Sequence, residues 1–520
     1  MKHPHQHWVF ATTLTLIFTF VNGCASTGLA QSERSWATNV AAFEREIREL
    51  QSALEIPGLA YVIVNDDAPV ASNAFGTMQG APSEAFTPRT PLRIASVTKA
   101  LTAVIALQLV EEGRLNLDAP ARHYVPDLKL PDNVLVRHLL THTSEGRIGE
   151  EYVYSTTRYA MLGPIIEAIA GHNFDQTLRE RVLERAGMQA YPSPALGAHA
   201  GLVSTAADMG AFLTSFGSNR LLKSSSLERL ALPSRSTSGD PLPVSLGFFT
   251  QTVQGQHVMW SFGQDDPEHS GALLVHLPER GLSLFVLANA NVLSDPFRLL
   301  MGDVSKSPFA MSFLRLFAFS GPGDARLRPE RDAVELSQEL TDLEERTAYR
   351  YRDELIGWAL IDLWTGRVAA AQCKFDMAAS RYPNPQRPDP VVHFAALRLP
   401  EEQTKEAAIR IGEQLLSRHP GNRWMLLVQG YLLQQRAQFE KSSAHFHRIL
   451  DLPNQEPDFM DRLFKAWSWM ALAQMSEGHD PNQARRYLQQ IIASGITGNT
   501  LEEAKRRLDH LKQTTTNGER

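Results

Sequence analysis

The sequence predicts an α+β domain followed by an all-α helical-repeat domain, and three observations lead there. GLAYVIVNDDAPVASNAFGTMQG, beginning at Gly58, reads as two extended runs joined by a polar Asp66-Asp67 turn; before it, SWATNVAAFEREIRELQSAL has helical spacing. GQHVMWSFG and ALLVHLPERGLSLFVLANAN supply three more apolar extended segments, with a helical stretch near PFAMSFLRLF. Around Gly321 the composition changes, because GPGDARLRPERD is rich in Gly, Pro and charge and precedes a long helical region. At 520 residues the chain exceeds what one hydrophobic core usually organises, so at least two domains are expected.

The N-terminus reads as a targeting segment. Lys2 and several histidines precede an apolar stretch from Trp8 to Val21 that is too short to span a bilayer comfortably, so residues 1–23 are expected to be a signal peptide. It ends in Val21-Asn22-Gly23-Cys24, which resembles the bacterial lipobox, although Asn22 is not the usual small residue there. Acylation of Cys24 would anchor the exported protein in the cell envelope, on the periplasmic or extracellular side, with residues 24–40 as a tether. Cleavage after Ala30 is the alternative and leaves a soluble exported protein. With Cys24 lipidated, Cys373 has no partner for an intrachain disulfide and reads as a small buried hydrophobe. The net charge of -6 and the lack of a long basic run point away from nucleic acid and anionic surfaces as partners.

Ser96-Val97-Thr98-Lys99 carries the chemistry. Residues three apart share a helical face, and a serine hydroxyl needs a neighbouring base before it attacks a carbonyl. Lys99 is that base if burial lowers its pKa. The run SVTKALTAVIALQLVEEG is apolar on nearly every side until Glu111, with Gly113 as a stop signal, and a helix apolar all round belongs in a core.

The string LRIASVTKALTAVIALQLVEEGRLNLDAPARHYVPDL, followed by VRHLLTHTSEG, resembles the serine β-lactamase and penicillin-binding superfamily, in its class C and esterase branch. YSTTRYAMLGPIIEAIAG, from Tyr154, and GLVSTAADMGAFL, from Gly201, resemble further family segments, so the likeness runs from about Ala60 to Asn291. For residues 41–320 it implies an antiparallel sheet flanked by helices, with an all-helical lobe and the site between the two. It implies that Tyr154 lies near Ser96 and helps to move the proton. At Thr156 the family usually has an asparagine that contacts the lysine and substrate; threonine offers one hydroxyl and a shorter reach. The family's third element, a Lys, His or Arg, then any residue, then Gly, has two candidates. His269-Ser270-Gly271 matches by letter but lies in a polar turn, whereas Ser261-Phe262-Gly263 ends an apolar strand at a suitable distance. The latter is preferred, and it removes the cation that usually pairs with a substrate carboxylate, with His269 left to line the rim. The oxyanion hole would use the N–H groups of Ser96 and Gln264.

His138 and His142 are four apart, but no carboxylate or cysteine set accompanies them, so structural roles near the cleft wall are expected and no metal or other cofactor. Glu145 reads as a loop residue. Residues 321–344 form the expected linker. AAIRIGEQLLSRHPGN, SSAHFHRILDLPN and ARRYLQQIIASG recur at a spacing in the thirties, and Gly430 and Phe439 stand at offsets resembling the tetratricopeptide pattern, so 345–515 reads as a degenerate array of paired helices. Such an array binds a peptide or protein partner or caps the hydrolase; both stay open. The function expected is an exported esterase or amidase acting through an acyl-enzyme on Ser96. A scaffold module without turnover and a β-lactamase or D,D-peptidase are the alternatives.

Overall fold

The computed structural model describes residues 18–319, apart from 66–67, 79–80, 151, 194–195, 266–268, 295 and 298. It further describes parts of 355–374 and 405–417, and 420–518 apart from 454–457 and 497–498. Most of the signal peptide and the whole 321–344 linker lie outside these residues, as does the side chain of Cys24.

The described sheet is seven-stranded and antiparallel throughout, in the order β3-β2-β1-β9-β8-β7-β6. β1 (Gly58–Asn65) and β2 (Ala68–Met78) form the expected hairpin, and β3 is Ala81–Ala85. β4 (Leu92–Arg93) and β5 (Val203–Ser204) make a separate two-stranded sheet. β6 (Phe249–Val253), β7 (Gln256–Asp265), β8 (Ser270–Leu277) and β9 (Leu282–Ala288) form a meander, whose last strand pairs with β1. The central strands are apolar at nearly every position because both sheet faces are covered, and alternate side chains serve two separate cores.

On one face Tyr61, Trp260, Leu273 and Val286 pack with Phe43 and Ile47 of helix α1 (Phe18–Ala53). On the other, Val62, Met259, Leu274 and Phe285 pack with helix α2 (Thr98–Glu111) and the helical lobe. That lobe includes α3 (Val136–Leu140), α4 (Thr156–Ala160) and α5 (Ser224–Ala231). α6 (Pro308–Phe317) lies beside α1, where Glu46 accepts from Ser312 and from Arg315 in a buried cluster. The tether expected at 24–40 is instead part of α1, and the folded domain begins before residue 41. Trp36 meets the Phe317 ring at 4.9 Å, and Asn39 Nδ2 donates to the Leu316 carbonyl at 2.8 Å.

The C-terminal region contains α7 (Arg423–Gln435), α8 (Phe439–Asp451), α9 (Asp458–Ser476), α10 (Pro481–Ala493) and α11 (Asn499–Gly518), each packed on its neighbour in sequence. Ser442 Oγ donates to the Gly430 carbonyl, and a Cβ at Gly430 would meet the Phe446 ring at 2.7 Å, so α7 and α8 cross closely there. Residues assigned from sequence to a separate repeat domain enter the core of the sheet domain. Leu355, Ile356, Ala359 and Leu360 are buried in the same cluster as Phe309 and Phe313, as are Val428 and Leu432 of α7. Among the described residues, 355–360 of the region expected to be a separate domain thus add to the α1–α6 layer. Cys373 is partly buried against this cluster.

Two predictions follow from packing. Leu360→Ala should destabilise the sheet domain by about 2–5 kcal/mol through a core cavity, measured by urea unfolding with fluorescence of the sheet tryptophan Trp260 as probe; unchanged unfolding of that domain would refute the shared core. At Gly263 of β7 a Cβ would lie 2.1 Å from the Ile94 carbonyl oxygen. Gly263→Ala should therefore push β7 away from the turn that carries Ser96 and cost about 1–3 kcal/mol, read as a lowered denaturation midpoint.

Candidate active site

Ser96 sits in a single 3-10 turn, Ala95–Val97, that leads directly into α2. Three connections hold the turn. Ile94 N–H donates to the Leu202 carbonyl, Ser270 Oγ donates to the Arg93 carbonyl, and Thr98 Oγ1 donates to the Ala95 carbonyl. Ala95 adopts φ 46°, a left-handed conformation that costs energy for a residue with a Cβ, and the surrounding bonds keep it there.

α2 is buried from Thr98 to Leu109, as its all-round apolar sequence predicts. Lys99 is buried with it, only 3% exposed. Its Nζ donates to Ser96 Oγ at 2.8 Å and to the His199 carbonyl at 2.9 Å. No carboxylate is within ion-pair distance of it among the described residues. Loss of hydration then dominates, and burial brings the Lys99 pKa down to about 7. The Nζ lies 5.2 Å from the Tyr154 ring centroid and 5.6 Å from that of Tyr159, and Tyr159 donates to the Lys99 carbonyl.

Tyr154 reaches Ser96 with its hydroxyl, and burial outweighs that hydrogen bond to push its pKa up to about 12. The phenol is therefore neutral at ordinary pH, and a resting tyrosinate is not supported. Its ring is held in an aromatic stack, 4.5 Å from His142, 5.9 Å from Phe262 and 6.3 Å from Phe249. Ser155 caps α4 by accepting from Arg158 N–H, and donates to Glu145 Oε1, which also pairs with Arg158. Glu145 thus fixes the start of the helix that follows Tyr154.

His142 stands in the cavity wall, near which sequence reasoning expected it. It has φ 53°, its Nδ1 accepts from Ser155 N–H, and its carbonyl accepts from Val153 N–H at 2.7 Å. Burial, reinforced by the Lys99 charge, lowers its pKa to about 3, so it is a neutral ring with the proton on Nε2. His138 lies apart from this cavity, with Nδ1 accepting from Leu135 N–H. Among the described residues no group of His, Cys, Asp and Glu is arranged to hold a metal.

Ser96, Lys99, His142, Tyr154, Ser261 and Phe262 are among the residues around one cavity of about 10 Å³, room for about one water molecule. The strand candidate Ser261-Phe262-Gly263 therefore lies at the site. The letter match does not: His269 is exposed in the β7–β8 turn at φ 48° and does not line the cavity. Thr156 is exposed on the first turn of α4, also outside the lining. Gln264 is partly buried on β7, its side-chain oxygen accepting from Ser294.

Residues 43–300 match the family model described as Beta-lactamase. Among curated proteins, "Protein flp" from Staphylococcus aureus (strain MW2) is 26% identical over 165 residues, covering 25% of this chain and 33% of its own. "Penicillin-binding protein 4" from Amycolatopsis lactamdurans is 27% identical over 173 residues, covering 27% of this chain and 45% of its own. The chain thus spans less than half the length of these relatives. The octameric penicillin-binding protein homologue from Pyrococcus abyssi is 21% identical, with a TM-score of 0.45, over 53% of this chain and 77% of that one. The family match, with the antiparallel sheet and helical lobe described above, means that the 43–300 region of this chain belongs to the superfamily of serine β-lactamases and penicillin-binding proteins.

Proposed function

We propose that the chain is an acylating serine hydrolase of the esterase or amidase type, with Ser96 as nucleophile, Lys99 as base and Tyr154 as proton relay. The observation that carries this is the 2.8 Å contact between Ser96 Oγ and a lysine whose pKa is near 7. As Oγ attacks a carbonyl, its proton passes to neutral Lys99. The Tyr154 hydroxyl then protonates the leaving alcohol or amine and is resupplied from Lys99. Water attacks the acyl-Ser96 ester, returns the serine hydroxyl and releases the acid. The N–H groups of Ser96 and Gln264 are assigned to the developing oxyanion.

Among the described lining residues Lys99 is the one cation, and Phe248, Phe249 and Phe262 surround the cavity. That composition favours an uncharged, apolar acyl group over a carboxylate-bearing β-lactam or D-alanyl terminus. Export and anchoring through Cys24 complete the proposal and place the reaction in the cell envelope. The cavity of about 10 Å³ favours a second reading, a scaffold without turnover, because substrate entry requires the aromatic lining to move.

Intact mass after exposure to a fluorophosphonate separates the two readings. One adduct on the parent protein, absent in Ser96→Ala, is expected; no adduct on folded protein leaves the scaffold reading. The pH profile of acylation is a second measurement. Only neutral Lys99 accepts the proton, so the rate should climb about tenfold per pH unit below 7 and level off above it, with no fall until Tyr154 ionises near 12. A profile that is flat from pH 5 to 8 would exclude Lys99 as the base.

A further inference from the structure

The larger cavity near the site is not the catalytic one. About 400 Å³ lie between α3, the loop after it, and the segment that follows α5, lined by Arg137, His138, Thr143, Arg229, Arg235 and Thr237 among others. The two cavities share walls. Along 140–143 the side chains alternate, Leu140 and His142 to the catalytic cavity, Thr141 and Thr143 to the larger one. Along 244–247, Val244 and Gly247 face the first and Leu246 the second, and Gly247 N–H donates to the Leu140 carbonyl between them.

The charges in the larger cavity are unbalanced. Arg137 pairs with Asp118, the one carboxylate among the lining residues, yet its buried Nε has no hydrogen-bond partner. Arg235 Nη1 donates only to the Gly239 carbonyl, and neither Arg229 nor Arg235 has a carboxylate within ion-pair distance among the described residues. His138 adds no acceptor on its outer nitrogen, because Nδ1 is taken by Leu135 N–H and the proton therefore sits on Nε2. The lining thus offers guanidinium, imidazole and hydroxyl donors with few acceptors, in a space the size of a small-molecule site.

We propose that this cleft is a second binding site, separate from Ser96, for a small polyanion: a di- or tricarboxylate or a phosphate-bearing molecule held by Arg229 and Arg235. The ligand would bridge α5 and the 138–149 loop, which Thr237 already joins by donating its N–H to the Gly149 carbonyl. That loop holds His142 against Tyr154, so occupancy stiffens the wall behind the catalytic tyrosine.

Calorimetric titration of the full chain at low salt, with citrate and with inorganic phosphate as separate probes, tests this. One saturable site is expected for at least one probe, and the probe that binds identifies the anion class. Arg229→Ala/Arg235→Ala, whose exposed side chains leave the fold intact by circular dichroism, should weaken it at least tenfold. Ser96→Ala should bind as the parent does, so the result does not depend on the hydrolase reading. No saturable binding of either probe, or binding unchanged in the double arginine variant, overturns the proposal.

Discussion

A lysine without water is the constraint on which the rest depends. Lys99 loses its ordinary basicity because α2 is buried on every side, and that burial exists only because the sheet covers one flank of the helix and the helical lobe the other. The hydrogen bonds to Ser96 and to the His199 carbonyl take the place of solvent without restoring the charge, since neither partner is an anion. An aspartate or glutamate at hydrogen-bond distance would hold the ammonium protonated. The aromatic stack of His142, Tyr154, Phe249 and Phe262 has the same effect from the open side, keeping water out while leaving the phenol hydroxyl aimed at Ser96.

Much of this was legible in the sequence because it is local. SVTKALTAVIALQLVEE states both the three-residue spacing of Ser96 and Lys99 and the all-round apolar helix that buries the lysine. The hairpin and the β7–β9 meander were readable from their apolar runs and turn residues. That Ser261-Phe262-Gly263 lies on a strand and His269 in a turn was also readable, since the two differ in pattern. What stayed hidden depends on pairing across the fold. His142 was expected near the cleft wall, but what holds it there, a left-handed backbone and a contact with Ser155, is encoded by no periodicity. The helix entering from residue 18, and the entry of Leu355–Leu360 into the core of the sheet domain, hide for the same reason. Amphipathic segments announce an apolar face but not which layer receives it.

The described C-terminal helices share packing with the sheet domain. Val153, next to Tyr154, packs against the cluster formed by α9, α10 and α11, and α7 reaches the α1–α6 layer through Val428 and Leu432. The exposed Phe439 and Ile492 remain available on the outer surface of the array.

The placement of β1 has a consequence for biogenesis. It lies between β2 and β9, and its first residue, Gly58, donates its N–H to Asn289, 231 residues further along the chain. The hairpin is synthesised early with one edge unpaired, and the α1 carboxylate Glu46 waits still longer for Arg315, 269 residues away. Until β9 is made, the edge of β1 that it will cover stays open, and an open strand edge is a site for mispairing.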